Sequence, residues 1–350
     1  MARIRTRTLV GLDIEPTYLA AAEVVVNGGI AVRRAVLRPL EPGIMRDGEV
    51  TDREGLAEAL RKLFREHKLP KRVRLGVANQ RIVVRTIDLP PLAEGKELDT
   101  ALRFHAQDHV PMPLEQAVLD YRSLGIVPTP DGQRTRVVLV AARRDMVEHL
   151  VAAARMGGVR PQAVDLSAFA MVRALASGAP TDTGVLYLGI GGISNLAIAA
   201  GRQCLFTRTI PGGLEAMVAA LAERRGMALD HARGWLSHVG LATPVQSVDG
   251  DPEIVEAARA VLDEGLHRLL DGVRNSLDFY GTQPDAPGVS QLVLTGPGLT
   301  VPGLAEALGE ALAVPVRAGT VAQAEEGAVA PGAEPCVAVA AGLAVEEAPE

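Results

Sequence analysis

One layout, strand, tight turn, strand, tight turn, strand, occurs twice in this chain, over residues 8–39 and again over 184–210. In the first copy, residues 8–14, 18–26 and 30–37 alternate apolar and polar, and Asn27-Gly28-Gly29 supplies backbone able to take φ > 0 between the second and third runs. In the second copy, residues 184–189, 195–200 and 204–210 are joined by a glycine-rich turn and by Gly201-Arg202. An internal repeat of this kind restricts the fold to two similar domains. The composition agrees. Of 350 residues 48% are hydrophobic but only 3% aromatic, so the core must be built from Ala, Val and Leu, as suits helices packed on sheets.

Other elements fit around the two copies. The capping box Thr51-Asp52-Arg53-Glu54 opens a helix with Leu56, Leu60, Leu63 and Phe64 on one face, and a strand follows at 73–78. Residues 82–160 have a different texture: strand 82–89, helix 94–108, strands 117–124 and 135–142, and helix 144–156 ended by Gly157-Gly158. They read as an inserted α+β subdomain. A short helix at 167–176 leads to a hinge at 179–182. After the second copy come helices 214–225 and 229–238, a long helix from Asp251-Pro252 to about Tyr280, strand 291–295, helix 302–312 and a last helix at 337–346. The expected class is α/β, with a first domain over 1–81, the insertion over 82–160, a closing helix and hinge over 161–180, a second domain over 181–333, and a terminal helix and tail over 334–350.

Charge and chemistry exclude several functions. With 36 basic and 42 acidic residues the net charge is −6, and no basic stripe is present, which argues against a nucleic-acid binder. Asp13 and Glu15 interrupt any apolar signal region after Arg3, Arg5 and Arg7, and no apolar run approaches the roughly 18 residues of a membrane span. A reduced cytoplasmic chain is expected, with Cys204 and Cys336 as buried thiols. His105 and His109 are spaced like a zinc pair, but no third ligand is indicated. Ser194 has no identifiable base, and no catalytic residue is assigned.

Three glycine turns could present backbone amides to an anion. They are the turn at 11–17, containing Asp13 and Thr17; the turn at 189–195, containing Gly191, Gly192 and Ser194; and Gly296-Pro297-Gly298. A dinucleotide fingerprint needs a helix directly after the glycines, whereas here a second strand follows. Each turn also serves simply as a tight connection.

In its motifs the chain resembles the actin-like ATPase superfamily and, within it, the PilM family of type IV pilus assembly proteins. The residues that carry this include Gly11-Leu12-Asp13-Ile14 with Glu23, Asp47-Gly48-Glu49-Val50, Arg103 to Leu114, Leu119-Asp120-Tyr121, Ala163 to Ala170, Phe206-Thr207-Arg208 with Ile210-Pro211-Gly212-Gly213, Ser276 to Tyr280, and Leu294-Thr295-Gly296 with Val301 to Leu304. The resemblance implies duplicated actin-like (ribonuclease H-like) domains with a family-specific insertion. It implies a place at the inner face of the cytoplasmic membrane and, as partner, the cytoplasmic N-terminal tail of a PilN-like inner-membrane protein. That tail would dock between the first domain and the insertion, where Phe104, Val110 and Met112 either line the groove or pack the insertion's own core. ATP and Mg²⁺ would lie between the two domains, against Asp13 (also the metal ligand), Thr17, Gly191, Gly192, Ser194, Gly212, Gly213, Gly296 and Gly298.

The nucleotide pattern is nevertheless broken. Glu15 and Pro16 stand where the family has Gly-Ser, and a carboxylate there would repel phosphate. Ala20 replaces a lysine. The second turn is one residue short, so its acid aligns with Leu188 or Gly189. On the helix at 229–238, Asp230, Arg233 and Trp235 are displaced from the adenosine-contacting positions. A weakened or lost ATPase is expected, either still binding nucleotide or keeping the cleft as a hinge. The alternatives are an active ATPase or small-molecule kinase of the same superfold, and an FtsA-like protein. The latter should end in a basic amphipathic helix, whereas this chain ends in an acidic tail.

Overall fold

A computed structural model describes residues 9–26, 29–92, 95–130, 132–283 and 286–345. Thr8, Asn27, Gly28, Glu94 and the acidic tail beyond Val345 lie outside them. The first repeat forms β1 (Val10–Ile14), β2 (Tyr18–Val26) and β3 (Ile30–Pro39). A short hairpin, β4 (Met45–Arg46) and β5 (Glu49–Val50), turns through Asp47 and Gly48, both at positive φ. Helix α1 (Arg53–Glu66) starts on Asp52, whose side chain accepts from the Gly55 N–H, and β6 (Arg72–Val77) follows. The insertion supplies β7 (Val83–Leu89), α2 (Lys96–His109), β8 (Ala117–Thr129) and β9 (Gly132–Arg143). The chain continues through α3 (Arg144–Met156), β10 (Arg160–Leu166) and α4 (Ser167–Leu175).

The second repeat forms β11 (Gly184–Ile190), β12 (Ser194–Ala200) and β13 (Gln203–Ile210). Then come α5 (Leu214–Arg225), α6 (Leu229–Val239), the 30-residue α7 (Pro252–Gly281) and β14 (Val289–Thr295). The last elements are α8 (Leu304–Leu312), β15 (Val316–Ala318), β16 (Ala322–Gln323) and α9 (Ala338–Leu343).

The duplication is visible in the sheet order. The first sheet runs β10-β6-β1-β2-β3-β16 and the second β15-β14-β11-β12-β13; in both, an antiparallel three-strand meander is extended by two parallel strands on its first member. Alternation sorts each strand's side chains to two faces. Leu186, Leu188 and Ile190 of β11 join Leu196 and Ile198 of β12 in the second domain's own core beneath α5 and α7. Val185, Tyr187, Ala197 and Ala199 face the other way, into a shared core with Ala20, Ala22, Met171, Ala340 and Ala341. Alanine dominates that layer because α4 and α9 lie very close together: a Cβ on Gly342 would fall 1.9 Å from the Ala170 carbonyl oxygen, and one on Gly11 1.8 Å from that of Ala340. The scarcity of aromatics follows from this close packing.

The structure differs from the sequence reading at the C-terminal end of the insertion and at the chain's return. Helix α3, read with the insertion, packs Leu150, Ala153 and Ala154 against Leu56, Leu60, Leu63 and Leu75 of the first domain. Residues 160–166, given no element above, form β10 in parallel with β6. The separate small core belongs to the sheet β7-β9-β8 and α2. The second sheet ends at β15, before the boundary drawn at 333. Strand β16 then pairs with β3, and the Ala35 N–H donates to the Ala328 carbonyl at 2.7 Å. The last helix is confined to α9, after a tight 3₁₀ turn at Glu334–Val337.

Candidate functional site

The ends of β1 and β11 bring the first two glycine turns face to face. Asp13 is 3% exposed at the end of β1. Burial pushes its carboxyl up to about 7, against hydrogen bonds with the Ser167 side chain and the Ile14 backbone that pull it down. Glu15, also buried, begins the β1–β2 turn, its N–H donating to the Tyr18 carbonyl at 2.9 Å. Its side chain crosses to the second domain, where Oε2 accepts the Gly192 N–H at 2.9 Å. Burial, then the Asp13 charge, push the Glu15 carboxyl up to about 8; the Gly192 bond opposes this and Glu215 adds to it.

Both contact positions are tightly packed, and at Gly192 the Pro16 ring leaves no room for a side chain. A Cβ on Gly192 would lie 2.4 Å from the Pro16 ring, and one on Gly191 2.9 Å from Glu15 Oε2. Ser194 is fully buried, its hydroxyl donating to the Gly212 carbonyl at 3.1 Å, and Gly213 passes so close to Gly191 that a Cβ would stand 2.3 Å from its carbonyl oxygen. Asp13, Gly191, Gly192, Ser194, Gly212 and Gly213 are thus one site, and Thr17 adjoins it in the β1–β2 turn, its carbonyl accepting from Leu40. The third turn lies beside the second, where a Cβ on Gly296 would stand 2.8 Å from the Ile190 carbonyl oxygen. Gly296 donates its N–H to the Pro335 carbonyl at 3.0 Å, and Gly298 packs against the Ile190 side chain.

Beside Asp13, Glu15 and Ser167 lies a cavity of about 20 Å³, room for roughly one water molecule. A third acid, Glu215, stands close enough to raise the Glu15 carboxyl further. Glu215, at the start of α5, is held by the Arg233 guanidinium of α6, with one N–H···O at 2.8 Å. Arg233 is therefore engaged in an ion pair. Trp235 packs edge-on to His238 and fills the space over Gly250. Among the described residues no three His, Cys, Asp or Glu side chains come together to hold a metal, His105 and His109 included. The Glu15 side chain takes the Gly192 amide, the kind of donor that a phosphate oxygen would use. Sequence reasoning singled out Glu15, but Ser167 and Glu215 carried no local signal, since each meets the site only through the fold.

The three residues marked for partner binding separate. Val110 is buried in the insertion's own core and Met112 packs against it, while Phe104 is 69% exposed on α2. On the opposite face of the same small sheet lies a groove of about 430 Å³, walled by Val84, Thr86, Val138, Phe169, Phe206 and Phe279. Strand β13 forms one side and is the edge of the second sheet. Phe206 sits between Phe279 and Tyr280 of α7, with ring centroids 5.9 and 6.0 Å away.

Two duplicated sheets of matching order, with glycine turns meeting across the gap between them, define a protein of the actin-like fold class. Solved structures of that class agree: the ethanolamine utilization protein EutJ from Carboxydothermus hydrogenoformans (TM-score 0.51, 16% identity, covering 98% of this chain and 91% of that one) and MreB5 of Spiroplasma citri bound to ADP (TM-score 0.54, 14% identity, covering 96% and 95%). Within the class, residues 11–347 match the family described as type IV pilus assembly protein PilM, and the chain belongs to that family. A solved PilM-PilN type IV pilus biogenesis complex is similar at a TM-score of 0.80 and 28% identity, covering 96% of this chain and 97% of that one.

Proposed function

We propose that this chain is a scaffold of type IV pilus or related secretion machinery that works by binding the cytoplasmic N-terminal tail of a PilN-like inner-membrane protein. The observation that carries this is the extensive likeness to a PilM that assembles with PilN. The groove between the insertion and the second domain suits such a tail. An extended peptide would add to the free edge of β13 through its backbone while its apolar side chains enter the Phe206–Phe279 pocket. Among the described residues no helix is long and apolar enough to cross a membrane, so the chain's place at the inner face of the membrane would come from its partner.

In the same reading the interdomain cleft is a degenerate nucleotide site, with ATP and Mg²⁺ binding weakened or lost and no turnover. Support comes from the Glu15–Gly192 bond, the absence of a lysine at Ala20, and the water-sized space at Asp13. Glu15 acts as a built-in hydrogen-bond acceptor, satisfying the second turn from within the chain.

Calorimetry with a synthetic tail peptide tests the docking site. Val84→Asp and Phe279→Asp each weaken binding at least tenfold, since each puts a charge into a desolvated apolar contact. Phe104→Asp tests the surface its exposure favours as the alternative. If that variant alone loses the peptide, the tail lies across α2 and the groove assignment is wrong.

A further inference from the structure

A second interdomain cavity lies at the far ends of the strands, away from the glycine turns. It opens beside the β2–β3 turn, the β12–β13 turn and the start of β14, and measures about 550 Å³, within the roughly 300–1,000 Å³ range of small-molecule sites. Three arginines line it, Arg173 from α4, Arg202 from the β12–β13 turn and Arg317 from β15, and no carboxylate does. Arg173 is held in place, 2.8 Å from an Asp165 oxygen and 2.8 Å from the Gly342 carbonyl. Arg317 donates to the Leu175 carbonyl at 3.3 Å, at the end of α4, and Arg202 is exposed. Among the described residues only Arg173 of the three is paired to an acid, which leaves Arg202 and Arg317 as uncompensated charges at the cavity. Ser177, Gln291 and Thr320 add neutral donors, and Ile30 with Leu175 gives an apolar wall.

Planar guanidinium forks gathered in a concave site match oxyanions. The walls come from both domains: Ile30 and Thr320 adjoin β3 and β16 of the first sheet, and Arg202, Gln291 and Arg317 belong to the second.

We propose that this cavity binds a small polyanion of up to about nucleotide size, carrying two or more phosphate or carboxylate groups, and that the bound anion ties the two domains together behind the hinge. The proposal is independent of tail docking.

Calorimetry on the full chain at low salt, with pyrophosphate and with citrate as probes, tests it. At least one probe binds in the submillimolar range, and binding weakens as salt is raised. The Arg202→Gln/Arg317→Gln double variant weakens it at least tenfold, while Arg65→Gln, on distant α1, leaves it unchanged. A preference for pyrophosphate identifies phosphate as the ligand chemistry, and a preference for citrate identifies carboxylate. Because Arg317 also supports the end of α4, Arg202→Gln alone is measured beside the double variant and weakens binding at least threefold. The proposal is overturned if neither probe binds at millimolar concentration. It is equally overturned if Arg65→Gln costs as much as the double variant, or if Asp13→Asn abolishes binding and the arginine variants do not.

Discussion

Glu15 joins the two domains across the interdomain cleft. A carboxylate at the first turn reads, from sequence alone, as a group that repels phosphate; in the fold it goes further and takes the Gly192 amide itself. Its partner lies 177 residues away, which is why no local pattern announced the bond. Asp13 and the glycines of the second turn were legible because tight turns constrain residue type, whereas Ser167 and Glu215 meet the site only when distant elements pack. Both Asp13 and Glu15 titrate higher in the folded chain than in the unfolded one, to about 7 and about 8. The folded state therefore binds more protons from about pH 4 up to those values, and stability is lost as pH rises through that window. Glu15→Gln should accordingly melt a few degrees higher than the wild type near pH 8, with the gap closing toward about pH 5 where both side chains are neutral. Thermal unfolding across that range checks it; a gap that does not change with pH would contradict the buried-carboxylate account.

At the scale of elements, the reading from residues succeeded where pattern is local and failed where pairing is remote. Helix α3 follows from its apolar face and Gly157-Gly158, and α7 from Asp251-Pro252 and the long stripe after it. Strand β10 (Arg-Pro-Gln-Ala-Val-Asp-Leu) has a proline and no clean alternation; it is a strand because β6 offers it a parallel edge. The two-residue β16 exists only through β3. Helix α9 is short and lacks a side-chain cap, so its stability comes from close approach rather than propensity. Gly342→Val would drive two methyl groups into the Ala170 backbone and should destabilise the chain by about 3 kcal/mol or more. Chemical denaturation measures this. A loss under roughly 1 kcal/mol would mean that α9 is not packed against α4 as described.

Across the whole molecule, the repeated meander yields two sheets of one order, an alanine-rich layer between them, and two openings at opposite ends of the strands. Glu15 and Asp13 line one opening, and arginines line the other. The insertion turns one face of its sheet to its own helix and the other to a groove beside β13. Binding, rather than turnover, is the activity we propose. The most direct test is titration of the full chain with the N-terminal tail peptide of its PilN-like partner, with and without ATP and Mg²⁺. Binding in the micromolar range without nucleotide, unchanged when ATP and Mg²⁺ are added, is the result the account predicts. A tail that binds only when ATP is present, or a chain that ignores the tail in both conditions, would contradict it.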